Sequence, residues 1–341
     1  MEYDVTIGIP VYDADQFIVR SLDSALSQSY PSIEFLIVDD GCCDRSMEIV
    51  RHCQISHPRG SDIHILSNSK NMGVSVSRNK IIDEAQGKYL FYMDADDVIT
   101  ENTIGLLMRQ LRQYDAEIVF GSYEKTDVSG AKTIYQYPDL QLLEDDQLAC
   151  YAYRKFGGIQ ASACNYLVKI SVLRDNNLRF INTDFWEDLA FTFELVPYIR
   201  RAVLLHQITY YYLCHEDSLS HYQTRQEISK DEIMKNIKTI DVLKANNSRL
   251  SNKCYYPERC YCIMMAYFYI ACNIIKMRKS IMPSFSNGEI KRVMSHPATF
   301  REICSFHHTR FKNFFLYFIG KLPPFLCAET IKSLGKKKKL V

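Results

Sequence analysis

The densest chemistry in this sequence lies where an apolar run stops in acid. Tyr89-Leu90-Phe91-Tyr92-Met93 reads as a buried, aromatic-rich strand bounded by Gly87. Asp94-Ala95-Asp96-Asp97 follows at once. Carboxylates at the end of such a strand are costly to desolvate unless something neutralises them. Hard divalent cations such as Mg2+ or Mn2+ prefer oxygen ligands and would do so. The pattern points to a metal–diphosphate platform built from Asp94, Asp96 and Asp97. The plain alternative is an acidic turn capping a helix that starts near Thr100.

The elements that must position these groups alternate regularly. Val5–Pro10 reads as a first strand. Helical spacing from Asp15 to Ser29 puts Phe17, Ile18, Leu22, Ala25 and Leu26 on one face, and Tyr30-Pro31 stops it. Glu34–Val38 is apolar enough to be buried on both faces, as parallel strands are. It ends in Asp39-Asp40-Gly41. A helix from Asp44 to His52, a strand at Ile63–Leu66, a helix from Ser75 to Ala85, the Tyr89–Met93 strand, a helix at Thr103–Tyr114 and a strand at Glu117–Phe120 follow. This order predicts an open, mostly parallel α/β sheet flanked by helices, with ligands at the strand C-termini. One acidic strand end is ordinary. Two, at Asp39-Asp40 and Asp94–Asp97, point to a shared cleft.

Residues 121–225 are less regular, and from Glu227 onward the pattern is helical. The expected division is a catalytic region at 1–225 and a helical C-terminal region at 226–341. Cys260–Ile275 is almost wholly apolar, but at 16 residues it falls short of the ~20 needed for a membrane span. A core or membrane-dipping helix is expected there. Lys+Arg 41 against Asp+Glu 40 leaves no basic field for nucleic acid. The acidic N-terminus lacks signal-peptide features, and the 12 cysteines contain no C-x-x-C. A cytoplasmic chain with reduced thiols is the simplest expectation. Cys260-x-Cys262 with His307-His308 fits no standard zinc spacing.

Five blocks in order carry a resemblance. They are Val5-Thr6-Ile7-Gly8-Ile9-Pro10-Val11-Tyr12-Asp13, Leu22–Tyr30, Val38-Asp39-Asp40-Gly41, Asn71-Met72-Gly73-Val74-Ser75-Val76-Ser77-Arg78-Asn79 and Met93–Asp97. Over residues 3–125, and more loosely to 225, the chain resembles family 2 glycosyltransferases of the GT-A fold. The resemblance implies a nucleotide-sugar donor. Pro10, Tyr12 and Asp13 would lie at the base, with Tyr12 stacking on it. Asp40, with Asp39 beside it, would accept from an imide N–H; uracil fits, though thymine and guanine also present N–H groups. Gly73 would open a helix whose N–H groups favour negative charge. Arg78 would face the diphosphate, or else pair with Asp39 or Asp40. Asp94 would reach ribose or donor sugar, Asp96 ribose or the Mn2+ or Mg2+ ion, with Asp97 as the alternative metal ligand. Cys42-Cys43 departs from the family's Gly-Ser-x-Asp turn.

Trp186-Glu187-Asp188-Leu189 is the second match. There Asp188 would be the base that deprotonates the acceptor hydroxyl in an inverting transfer, with Glu187 orienting the acceptor. A third, Tyr211 to Ser220, lacks the family's usual Arg. Cys214 and His215 stand near it, and Ser218 matches better. A contact to phosphate or metal is one reading of His215, and a solvated loop is the expected one. The aromatic run Phe311–Ile319 and the cluster Lys336–Lys339 resemble an interfacial anchor, or else a core helix with a solvated tail. A glycan or lipid-linked acceptor in surface-polysaccharide synthesis would suit the former. The competing function is a nucleotide-binding subunit that has lost catalysis. A nucleotidyltransferase is disfavoured because Gly8-Ile9-Pro10-Val11-Tyr12 is not a Gly-rich basic loop.

Overall fold

The computed structural model describes residues 3–154, 158–183, 186–215 and 227–340. They fall into two compact units. The first comprises residues 1–148, 161–182 and 187–218, the second residues 149–160, 183–186 and 219–341.

The first unit begins with β1 (Tyr3–Val11), α1 (Ile18–Leu26), β2 (Ile33–Asp39), α2 (Ser46–Ser56), β3 (Ile63–Ser67), α3 (Val74–Glu84) and β4 (Gly87–Tyr92). The strands pair in parallel in the order β3-β2-β1-β4. β1 and β2 are buried along almost their whole length because helices cover both sheet faces. α1 buries Ile18, Leu22, Ala25 and Leu26, the stripe its spacing predicts. Parallel pairing brings the C-terminal ends of these strands to one edge. Val11 of β1 is level with Asp39 of β2, and the Met93 amide donates to Gly8 on the other side of β1. Both acidic strand ends therefore flank the end of one central strand.

The chain continues through β5 (Val98–Ile99), α4 (Thr103–Tyr114), β6 (Ile118–Thr126), β7 (Lys132–Tyr135), β8 (Leu140–Leu142), α5 (Gln147–Arg154), β9 (Tyr166–Lys169), α6 (Ile170–Asp175), α7 (Glu187–Leu195) and β10 (Ala202–Leu213). Here the sheet becomes mixed. β9 inserts antiparallel between β4 and β6, and β5 and β8 run antiparallel to β10. Tyr166, Leu167 and Val168 of β9 are all buried, so no period-2 alternation marks this short strand. Register shifts in β10 between Leu204 and Tyr210 curl the sheet's far end.

The second unit contains β11 (Ile228–Ser229), α8 (Lys230–Asn247), α9 (Tyr256–Lys276), β12 (Ile281–Met282), α10 (Asn287–Val293), α11 (Phe300–Ser305), α12 (Arg310–Lys321) and α13 (Pro324–Lys337). α9 is its core helix. Cys260, Cys262, Ile263, Met264, Phe268 and Ile270 are among its buried residues. α8 packs on it through Ile233, Ile237, Ile240 and Leu243, a 3.6-residue stripe. The wholly buried Arg259 is held by Asn247 Oδ1 at 3.0 Å and Tyr153 Oη at 2.5 Å. Capping boxes at Ser286/Glu289 and Thr299/Glu302 start the two short helices α10 and α11. Among the described residues no helix is long and apolar enough to cross a membrane.

Candidate active site

The turn after β4 is pinned from three sides. Ser21 Oγ donates to Asp94 O at 3.2 Å and Arg20 Nη2 to Asp96 O at 3.1 Å. Tyr210 Oη accepts from the Asp94 amide at 3.2 Å. This turn separates its three carboxylates. Asp94 and Asp96 are partly exposed, whereas Asp97 is wholly buried. Tyr210 Oη donates to Asp97 Oδ2 at 2.7 Å and the Leu213 amide donates to its Oδ1 at 2.9 Å. Asp97 as a metal ligand is therefore corrected. Both its oxygens tie the turn to β10, and burial, with Asp94 and Asp96 adding, pushes its carboxyl well above the usual range.

Arg78, in the second turn of α3, is the hub. It is buried, and its partners come from two distant elements. Nη2 bonds Asp94 Oδ1 at 2.9 Å; Nη1 bonds Asp188 Oδ1 at 2.5 Å and Glu187 Oε1 at 3.3 Å. Its guanidinium also lies 5.4 Å from the Phe180 ring centre. The expected alternative pairing with Asp39 or Asp40 is not the one formed. Burial works against the guanidinium's charge, but Asp188, Asp94 and Glu187 outweigh it and raise its pKa further. Three carboxylates share one cation, so like-charge repulsion remains. Asp188 carries the consequence. Burial, against the pull of Arg78 and with Glu187 and Asp94 adding, pushes its carboxyl up to about 7. Asp188 and Glu187 sit in the first turn of α7, where the helix dipole favours their anionic forms. Trp186, immediately before them, has a φ of +72°, a left-handed conformation that is strained for a bulky residue.

The other acidic strand end also divides its two residues. Asp40 is buried, and its oxygens are already used. Asn68 Nδ2 donates to Oδ1 at 2.7 Å, the Met72 amide to Oδ1 at 3.0 Å and the Gly73 amide to Oδ2 at 2.9 Å. These bonds close the 68–73 loop against β2. Asp39 is partly exposed, and its Oδ1 alone braces the turn, accepting from the Gly41 and Cys42 amides at 3.0 and 2.9 Å. Pro10 is buried in β1, whereas Tyr12, just past the strand end, is half-exposed. Gly73 caps α3 with a φ of +92°, which a Cβ would strain even though it would meet only Asn182 Oδ1, at 3.8 Å. Asp13 Oδ1 accepts from the Cys43 amide at 2.7 Å, and Asp44 Oδ1 accepts from the Ser46 amide at 2.9 Å. Asp44 thus takes over the start of α2 despite the Cys42-Cys43 departure.

His215 is not the solvated loop residue its position suggested. Its ring stacks on Phe17 at 4.4 Å, and Nε2 meets Asp96 Oδ2 at 2.8 Å. Nothing local signals this pairing, since the two lie 119 residues apart in sequence. Nδ1 has no partner among the described residues. An imidazole nitrogen and a carboxylate oxygen converging at a partly open site form a donor set that suits Mn2+. A second grouping, Asp13, Cys42 and Asp44, has its ligand atoms within 4.8 Å of one another. Its carboxylates brace the loop, and burial pushes the Cys42 thiol up to about 12, away from the thiolate a metal needs. The set-aside zinc quartet does not form: Cys260 and Cys262 are buried inside α9. Gly157, Phe185 and Glu216–Ser220, Ser218 included, lie outside the described residues.

The sequence model of glycosyl transferase family 2 matches residues 6–173. Glycosyltransferase GlyG of Streptococcus pneumoniae is 31% identical over 125 residues, 37% of this chain and 40% of that protein. The match therefore spans well under half of GlyG. The Escherichia coli UDP-Glc:alpha-D-GlcNAc-diphosphoundecaprenol beta-1,3-glucosyltransferase WfgD is 24% identical over 195 residues, covering 54% of this chain and 75% of WfgD. Among solved structures, Staphylococcus aureus TarS 1-349 in complex with UDP-GlcNAc superposes with a TM-score of 0.58 at 16% identity, over 93% of this chain and 90% of TarS. That likeness shows the GT-A fold. With the matched stretch, the curled sheet and the acidic strand ends in agreement, this chain belongs to glycosyl transferase family 2.

Proposed function

We propose that this glycosyltransferase moves a sugar from a nucleoside-diphosphate donor, with UDP favoured, to a hydroxyl of a glycan or lipid-linked acceptor, with inversion at the anomeric carbon. One observation carries the reading: Arg78 joins Asp94, at the end of β4, to Glu187 and Asp188, at the start of α7. It gathers the residue assigned to the donor and the residue assigned to the base into one network. Asp188 takes the acceptor's hydroxyl proton as that oxygen attacks the anomeric carbon in line. The bond from that carbon to the diphosphate oxygen breaks, and the nucleoside diphosphate leaves with the electron pair. Glu187 orients the acceptor, and Arg78 keeps the carboxylates in place. Asp96 and His215 would hold a divalent cation, which neutralises charge on the diphosphate. The UDP in the TarS complex and the lipid-linked acceptor in the name of WfgD support the same classes of donor and acceptor.

A thermal-shift screen of nucleotide sugars with Mn2+, followed by transfer and donor-hydrolysis assays, tests this. Stabilisation by UDP-sugars and turnover that EDTA abolishes are the expected results; donor binding without turnover would leave a binding subunit instead. Asp96→Asn is expected to weaken Mn2+-assisted UDP binding about 10- to 100-fold, with little change when Mn2+ is absent.

The two acidic residues at the end of β2 should separate cleanly. Asp39→Asn keeps an oxygen for the Gly41 and Cys42 amides but removes an anionic acceptor. UDP affinity should fall about 10- to 100-fold with melting nearly unchanged. Asp40→Ala strands the Met72 amide and one Asn68 N–H, while the Gly73 amide keeps Asn71 Oδ1, and should cost about 1–3 kcal/mol of stability. Isothermal titration and urea denaturation of both variants decide; the reverse pattern would return the base contact to Asp40.

A further inference from the structure

α12 buries one side and leaves the other bare. Asn313, Leu316 and Ile319 face inward, with Asn313 Nδ2 donating to Pro257 O at 3.0 Å at the start of α9. Phe311, Phe315 and Phe318, spaced i, i+4, i+7 on one stripe, are 80%, 53% and 53% exposed. Phe300 extends the patch by packing on Phe318 at 6.1 Å while itself half-exposed. Single exposed aromatics need no explanation, but a contiguous stripe of them does. The stripe is edged with cations: the Arg310 guanidinium lies 5.6 Å from the Phe311 ring and Lys321 Nζ 5.0 Å from Tyr317, one at each end of α12. Lys336–Lys339 follow, all exposed. Residues 310–340 hold eight Lys and Arg against one acidic residue, in a chain whose net charge is only +1, so the positive charge is concentrated here.

We infer that the α12 face is a docking surface for an anionic lipid bilayer. Phenylalanines enter the acyl boundary while the flanking lysines and arginine pair with head groups, as interfacial helices do. Charge complementarity selects this occupant: a second copy would bring the same cations face to face. The inference does not depend on transfer chemistry, because it is read without any sugar donor. The test is sedimentation of the full chain with vesicles of phosphatidylcholine alone or with phosphatidylglycerol added. Binding should need the anionic lipid and weaken with salt. F311S/F315S/F318S should lower partition at least about tenfold with unchanged circular dichroism and melting. Replacing Lys336, Lys337 and Lys339 by Gln should also weaken binding; Lys338, whose Nζ lies 6.0 Å from the Phe268 ring, is left in place. Absence of partition, partition unmoved by both variants, or a self-associating chain that the Phe variant turns monomeric would each overturn the inference.

Discussion

Asp188→Asn is expected to slow transfer by about 10²- to 10⁴-fold while UDP affinity and fold stability stay close to those of the parent protein. The substitution is isosteric and keeps an oxygen for Arg78 Nη1, now 2.5 Å from Asp188 Oδ1. Asp94 and Glu187 still neutralise the guanidinium. What Asn cannot do is accept the acceptor's proton. A pH profile adds a second readout. Burial pushes the Asp188 carboxyl up to about 7. A base works only when deprotonated, so kcat/KM of the parent should rise through that pH and level off above it. Activity should be lost on the acid side, and the residual rate of the variant should lack that inflection. If Asp188→Asn retained more than a tenth of the parent rate with the inflection intact, the proton would be going elsewhere, and Glu187 would be the next residue to replace.

The parallel half of the sheet was legible in the sequence because each of its signals is local. β2 is a continuous apolar run stopped by acid, and α1 carries its buried stripe at helical spacing. The mixed half was not. β9 is four residues long and buried on both faces, and its place between β4 and β6 is decided by partners far away in the chain. The same contrast runs through the site. That carboxylates gather at strand ends could be read directly, but their individual roles could not. Asp39 and Asp40 are chemically identical neighbours. The loop returning at Asn68, Met72 and Gly73 buries one and leaves the other partly open. Asp97 differs from Asp96 only because β10, more than a hundred residues on, brings Tyr210 to the one and His215 follows it to the other. Residue type announces the chemistry; long-range packing divides the labour.

Arg78→Met should be the most disruptive single change in the first unit. The guanidinium is buried, and it is the shared partner of Asp94, Glu187 and Asp188. Met fills much of the same volume but leaves three carboxylates in a poorly solvated site without their cation. Breaking a buried ion pair by removing one partner costs about 3–5 kcal/mol. The carboxylates are themselves partly exposed, so the lower end of that range is expected here. Arg78→Lys should be intermediate in stability yet nearly inactive, since one ammonium cannot span the fork from Asp94 to Asp188. The charge origin makes the loss pH-dependent, with a definite sign. Without Arg78 the Asp188 carboxyl, already raised by burial, rises further above its unfolded value. Such a shift penalises the folded state above the unfolded carboxylate range and fades as pH falls and the groups take up protons. The deficit of Arg78→Met relative to the parent should therefore be largest near pH 8 and shrink by pH 5. Urea denaturation at both pH values measures it. A deficit equal at the two would trace the loss to packing against Phe180 rather than to stranded charge. Adding Asp188→Asn to Arg78→Met should then restore part of the stability at pH 8, because one of the stranded charges is gone.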